Sequence, residues 1–399
     1  MHLIASGAWR EACVAQKAQC RRAPVGQRLE WRLRLVHTFG PLRADSMTSP
    51  ASPPASALSA PPIEYKIWNA GNVALQSGRT FAAMQIAYKT FGTLNAAKSN
   101  VIVYPTSFSA QHSDTEWLVR AGGALDPKRY FIIIPNLFGN GLSSSPSNTP
   151  WPLTGDRYPG VTYHDAVRVQ QRLLVEVFGI SKVQLVYGWS MGAMQAYHWA
   201  VVFPELVERI AVVCGSARCA PHNVVFLESV RAALTADASF IDGAFATSPV
   251  RGLRAMGRVY AGWALSQEFY REEAWRGIGF TSLEDFLVRF WEANFARRDP
   301  ADLLAQLWTW QHGDVSAHPD FNGDLPRALA SIRAQVLLMP GDHDLYFRVE
   351  DNRRELPHLR HATLKPIPSI WGHRAGNPTQ SVADAAFIET AVRELLEAA

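Results

Sequence analysis

Ser190 lies in Leu185-Val186-Tyr187-Gly188-Trp189-Ser190-Met191-Gly192-Ala193-Met194-Gln195, with one glycine two residues before it and another two residues after it. Val183, Leu185, Val186 and Tyr187 supply an apolar strand before it, and a helical pattern over 191–203 follows. A serine at such a strand-to-helix turn is held in a strained backbone conformation, its hydroxyl exposed at the helix start, as a nucleophile of acyl transfer must be. The hydroxyl attacks poorly at neutral pH unless a base takes its proton and a carboxylate orients that base. Asp344 follows the strand expected over 334–339 in Gly341-Asp342-His343-Asp344-Leu345-Tyr346-Phe347, and His373 lies in Ile370-Trp371-Gly372-His373-Arg374-Ala375-Gly376. The chain order Ser, Asp, His and the loop settings assign these three as nucleophile, orienting acid and base. Asp342 is the competing acid; Asp344 is preferred because it sits deeper in its loop, ahead of the Leu-Tyr-Phe anchor. His343 is read as a bystander. A tetrahedral intermediate also needs two aimed backbone donors. Met191 N–H is one, and the loop after residue 103 supplies the other, Ser107 with Phe108 as the alternative.

The elements that must position these groups are legible as alternating strands and helices. Residues 81–92 alternate as a strand does, 101–105 and 130–135 are continuous apolar runs, as in strands buried on both faces of a parallel sheet, and 210–214 and 334–339 are two further buried strands. Thr162-Tyr163-His164-Asp165 opens a helix with a capping box; Val169, Leu173, Val177 and Phe178 mark its buried face and Gly179 ends it. A short strand over 364–367 and a last helix over 382–398 follow. The architecture expected is α/β, a mostly parallel sheet flanked by helices. About 120 residues without strand signals separate the strands ending at 214 and beginning at 334. They are rich in aromatics, among them Phe226, Tyr260, Phe269, Trp275, Phe286, Phe290, Trp291, Phe295 and Trp310. The excess predicts a helical cap, about 217–330, over the carboxyl edge of the sheet, most of its aromatics forming its own core and a few lining an acyl pocket. The G-x-G in Asn136 to Ser143 lacks the lysine of a phosphate loop and the third glycine of a dinucleotide fingerprint, and is read as an active-site wall.

Composition narrows the function classes. Of 399 residues 48% are apolar and 19% charged, as in a soluble globular chain, and no apolar run reaches membrane-spanning length. The net charge of +4 is unevenly placed: residues 1–46 carry a net +5, so the remaining 353 sum to −1. The body is nearly neutral, which removes the main support for a nucleic-acid partner. Residues 1–62 read as a disordered extension, basic at first and then rich in Ser, Ala and Pro; an upstream extension is preferred to a targeting segment. The four cysteines, Cys13, Cys20, Cys214 and Cys219, are too few for a disulfide scaffold and lack zinc-site histidines, pointing to a reducing cytoplasmic setting, no metal, and Cys214 and Cys219 as packing residues.

Over residues 63–399 the sequence resembles the homoserine O-acetyltransferase-like branch of the α/β-hydrolases. The marks are Ile86-Ala87-Tyr88-Lys89-Thr90-Phe91-Gly92-Thr93-Leu94-Asn95, Leu125-Asp126-Pro127-Lys128-Arg129-Tyr130-Phe131, Val161-Thr162-Tyr163-His164-Asp165 with Gln170, and Ser190-Met191-Gly192-Ala193-Met194-Gln195-Ala196. The resemblance implies an α/β-hydrolase domain over 63–399 with a helical lid, and a ping-pong reaction in which the serine takes an acyl group and passes it on. It implies the same roles for Ser190, Asp344 and His373, and allows a homodimer. The departures concern the acceptor. Homoserine transferases generally follow the histidine with an aspartate that helps hold the ammonium group; Arg374 stands here and would repel it. The family's Gly-Gly-Ser elbow becomes Gly188-Trp189-Ser190, and its His-Ala-Leu-Thr-Gly loop becomes Pro105-Thr106-Ser107-Phe108-Ser109. The expected activity is hydrolysis of small acyl esters, acetyl by resemblance, or O-acyl transfer to an acceptor other than homoserine. Homoserine O-acetyltransferase using acetyl-CoA and a non-catalytic α/β-hydrolase-like binding protein are the alternatives. Small-molecule esters or acyl-CoA are the expected partners, with no membrane, no nucleic acid and no cofactor beyond acetyl-CoA as co-substrate.

Overall fold

The computed structural model describes residues 65–150 and 152–398, so the expected extension over 1–62 lies outside the described residues. Eight strands form one sheet in the order β1-β2-β4-β3-β5-β6-β9-β10: β1 Lys66–Ala74, β2 Thr80–Phe91, β3 Val101–Val103, β4 Phe131–Pro135, β5 Leu185–Trp189, β6 Arg209–Val213, β9 Gln335–Met339 and β10 Ala362–Leu364. From β4 to β10 every neighbouring pair is parallel, and β2 pairs antiparallel with both β1 and β4. The continuous apolar runs are the central strands: β3 and β4 are buried at every residue, and the helices on both faces explain why those strands show no polar alternation.

Helix α1, Tyr163–Phe178, starts at the Thr162 cap. The Thr162 hydroxyl accepts the Asp165 N–H, the Asp165 carboxylate accepts the Thr162 N–H, and Gly179 closes the helix in the left-handed conformation at φ 63°. Val169 and Leu173 lie on its buried face as expected. Val177 does not: it is 40% exposed, because the stripe turns through Gln170 and Leu174 instead. Helix α2, Met191–Val202, is buried along almost its whole length, so its mostly apolar sequence is a central helix and not an amphipathic one.

Between β6 and β9 the chain is mainly helical, with α3 Pro221–Thr235, α4 Val250–Ala264 and α5 Pro300–Gln311 as its longest pieces and a π-helical stretch at Leu287–Glu292. It also holds a strand pair that was not expected, β7 Phe240–Ile241 and β8 Ala244–Phe245. Asp242 and Gly243 make the two-residue turn, both at positive φ (49° and 88°), the Asp-Gly signature of a type I′ hairpin. The aromatic core expected for this segment is present: Phe226, Phe269, Phe286 and Trp310 are all at most 1% exposed. The chain closes with α6, Val382–Glu397. Among the described residues no helix is long and apolar enough to cross a membrane.

Candidate active site

The loops that leave the carboxyl ends of β3, β5, β9 and β10 meet at one place, and they carry Ser107, Ser190, Asp344 and His373 in turn. This is the edge at which open α/β sheets bind ligands. Ser190 joins β5 to α2 with φ 58° and ψ −124°, a backbone conformation that a non-glycine residue adopts only at a cost and only when its surroundings enforce it. The flanking glycines are what make the turn possible: a Cβ on Gly188 would run into the Gly192 backbone, and one on Gly192 would lie 2.7 Å from Pro105 O.

The Ser190 Oγ lies 2.8 Å from His373 Nε2, and His373 Nδ1 lies 2.7 Å from Asp344 Oδ2. A carboxylate only accepts, so the imidazole N–H sits on Nδ1 and leaves the Nε2 lone pair facing the serine hydroxyl. The second carboxylate oxygen, Oδ1, accepts the backbone N–H of Tyr346 at 2.8 Å and of Phe347 at 3.2 Å, which locks Asp344 in place. The Leu-Tyr-Phe segment therefore holds the acid directly. The Tyr346 and Phe347 rings also pack against His373, at 4.6 and 5.6 Å between centroids, and the Trp189 indole stacks on it at 5.2 Å. Trp189 Nε1 donates to His373 O at 3.2 Å. All three relay residues are at most 3% exposed. Asp342 is exposed and outside the relay, and His343 pairs with Glu268 at 3.2 Å.

Cys214 is buried and at φ 47°; its sulfur and the nearest ligand atoms of Asp344 and His373 lie within 4.8 Å of one another. Burial, with the Asp344 charge beside it, pushes its thiol well up, so the thiolate that a metal would require is disfavoured there.

Met191 opens α2, where a helix N–H has no partner within the helix. In the loop after β3, Ser109 N–H is spent on Gln306 Oε1 at 2.7 Å, whereas neither Ser107 nor Phe108 N–H has an acceptor among the described residues. This loop is pinned by a chain of buried amides that the sequence did not announce. Trp199 Nε1 donates to Gln170 Oε1 (2.8 Å), Gln170 Nε2 to Gln195 Oε1 (2.7 Å), and Gln195 Nε2 to Thr106 O (3.0 Å). Gln170 and Gln195, quoted above only as family marks, thus fix the loop to α1 and α2. The Asn136 to Ser143 loop is not a wall of the serine's pocket: Asn136 Oδ1 accepts His112 N–H, and Asn140 Nδ2 donates to Ala110 O, so it buttresses the 106–115 loop from behind.

Above the relay opens a pocket of about 350 Å³. Of the aromatics between β6 and β9, Tyr260, Phe290, Trp291 and Phe295 reach it, joined by Phe108 from the loop after β3. A larger depression of about 920 Å³, beside Gly160 and Trp308, contains none of the relay residues. Arg374 also lines the Ser190 pocket. Burial pulls its guanidinium below its usual range, and it lies over the Trp189 ring at 5.7 Å and the Phe290 ring at 5.9 Å. The carboxylate lining the pocket, Asp114, is held by Arg297 at 3.3 Å and Arg298 at 2.7 Å.

Residues 116–369 match the family model described as the alpha/beta hydrolase fold. An ethyl acetate hydrolase from Pseudomonas veronii is 39% identical over 312 residues, 77% of this chain and 89% of that protein. A homoserine O-acetyltransferase from Caulobacter vibrioides is 30% identical over 358 residues, 80% of this chain and 93% of that one. Among solved structures, the acetyl esterase MekB superposes with a TM-score of 0.82 at 37% identity, covering 84% of this chain and 97% of that one. Sheet order, serine turn and relatives agree: the chain belongs to the α/β-hydrolase fold family, in the branch that holds both acetyl-ester hydrolases and homoserine O-acetyltransferases.

Proposed function

We propose that the protein hydrolyses small acyl esters, acetyl esters first among them, through an acyl-enzyme on Ser190. The observation that carries this reading is the pocket's charge: its carboxylate, Asp114, is already paired with two arginines, and Arg374 stands in the wall, so an ammonium-bearing acceptor such as homoserine has no free anion to meet. The similarity to an ethyl acetate hydrolase and to an acetyl esterase supports it. Ser190 Oγ attacks the ester carbonyl as its proton passes to His373 Nε2. Asp344 steadies the resulting imidazolium through Nδ1–H, and the developing oxyanion takes the N–H groups of Met191 and of Ser107, or of Phe108 in its place. Collapse breaks the ester C–O bond and the proton on Nε2 goes to the departing alkoxide; a water deprotonated by the same nitrogen then attacks the acyl carbonyl, and collapse breaks the acyl–Oγ bond, returns the proton from Nε2 to Ser190 Oγ and releases the acid.

No bound cofactor or metal enters these steps, and acetyl-CoA would be a co-substrate only in the transferase alternative. A cytoplasmic setting and a homodimer belong to the same proposal; the first is supported by the few cysteines and the second by family resemblance. Incubating the protein with acetyl-CoA plus homoserine beside a simple acetate ester tests the reading. Ester cleavage lost in Ser190→Ala, without O-acetylhomoserine, is the expected result; O-acetylhomoserine formed at a comparable rate overturns it. A well-folded protein that a fluorophosphonate fails to label at Ser190 would instead be a binding scaffold.

A further inference from the structure

The wall of the Ser190 pocket holds a cation that the ester chemistry above does not use. The Arg374 guanidinium lies over the Trp189 and Phe290 rings, forms no ion pair or hydrogen bond among the described residues, and has its Nε buried with no acceptor. Asp114, the carboxylate of the same wall, is engaged by Arg297 and Arg298 and accepts the Gln111 N–H at 2.9 Å. Arg374 is partly buried; burying its Nε without an acceptor is costly, and the aromatic faces and the nearby Asp114 charge offset only part of that cost. A cation kept in this state beside a nucleophile is balanced when a ligand brings the anion.

We propose that Arg374 is an anion receptor, and that the preferred substrate is a short acetate ester whose alcohol part carries a carboxylate. This rests on the ester-hydrolase reading and specifies its substrate. An acetyl group has no atom to bear the charge, which puts it on the alcohol. The planar guanidinium fork matches a carboxylate, and Arg297 and Arg298, which share the single Asp114 carboxylate, add to the positive charge beside it. The same wall offers Asn377, whose Oδ1 is buried without a donor, for a polar group next to the carboxylate.

The test compares kcat/KM for three acetate esters of similar size: anionic 3-acetoxypropionate, neutral butyl acetate and cationic acetylcholine. In the native protein the anionic ester should exceed the neutral one roughly 10- to 100-fold, as expected for a hydrogen bond to a charged group, and the cationic ester should fall below both. In Arg374→Met the anionic-to-neutral ratio should drop at least about tenfold, while Arg374→Lys should keep a ratio above one. A native ratio at or below one overturns the proposal, as does a ratio that survives in an Arg374→Met protein whose thermal unfolding matches the native. Failure of the native protein to cleave any of the three, with no fluorophosphonate on Ser190, sinks the ester-hydrolase reading itself.

Discussion

Replacing Glu355 should change how the protein's stability depends on pH. Glu355 ends the short helix Val349–Glu355 and is 5% exposed. Its Oε1 accepts Ala217 N–H at 2.7 Å, and its Oε2 accepts Tyr197 O–H at 2.7 Å and Asn352 Nδ2 at 2.8 Å. Asn352 also reaches Gly215 O at 3.0 Å, so the cluster ties the turn after β6 to α2, behind Ser190. Burial outweighs these hydrogen bonds and pushes the carboxyl from 4.5 up to about 7. In the unfolded chain the group ionises near its ordinary value; between about 4.5 and 7 the folded state keeps a proton that the unfolded state has lost. The stabilisation is therefore fully present below 4.5 and is lost as pH rises through about 7. At about 1.4 kcal/mol per tenfold, the displacement amounts to roughly 3 kcal/mol. Glu355→Gln has no such proton to lose. Urea unfolding followed by tryptophan fluorescence from pH 4.5 to 8 should show the native-minus-variant stability falling by roughly 3 kcal/mol across that window. His164 and His198, lowered to about 4 by burial, and Asp302, raised to about 6 by burial, titrate in both proteins and cancel in the difference. Parallel stability curves for the two proteins would refute the assignment.

Asp344→Asn should lower kcat for an acetate ester by roughly 10⁴-fold while the fold is kept, because the amide can present its NH₂ to His373 and select the wrong tautomer; a loss under tenfold in steady-state assays argues against the relay. Trp189→Phe keeps a ring on His373 but removes the hydrogen bond to its carbonyl, so kcat/KM should fall about 3- to 10-fold, read in the same assay against circular dichroism. Gly376→Ala would set a Cβ 2.8 Å from Cys214 Sγ and onto the Trp189 indole; a drop in Tm together with more than about tenfold lower kcat is expected, and native behaviour in calorimetry and assay would show that the indole is not confined as described.

What was legible in the sequence is what local chemistry determines. The Thr162 capping box, the Gly179 stop and the glycines around Ser190 act within a few residues of themselves, and the buried strands announce themselves because no polar residue can be tolerated on either face. β1 was not legible: Lys66–Ala74 is an edge strand with irregular register at Gly71, and its asparagines and glycine look like a turn. The β7–β8 hairpin did carry a signal, Asp242-Gly243, that the surrounding helical composition obscured. Within the site, the relay could be read from chain order, since each member follows its own strand. The amide chain from Trp199 to Thr106 could not, because its donors and acceptors come from segments that meet only after the sheet has formed.

The departures from the family pattern depend on one another. A tryptophan at the residue before the serine needs room beside His373, and it has that room only because residue 376 is glycine: any Cβ there would strike the indole. Once the indole is in place its face is turned to residue 374, where a guanidinium gains from both Trp189 and Phe290, and a carboxylate would meet the negative faces of the two rings. The departures at Trp189 and Arg374 are thus coupled, with Gly376 and Phe290 as their surroundings, and exchanging Arg374 alone for aspartate would put an unpaired carboxylate against two aromatic faces. For that reason Arg374→Asp by itself should lose ester cleavage without gaining homoserine acetylation, whereas a variant that also restores glycine at 189 has the space to hold the acid. Acetyl-CoA consumption with homoserine in the single variant, equal to that in the double, would show that the cation and the indole act independently.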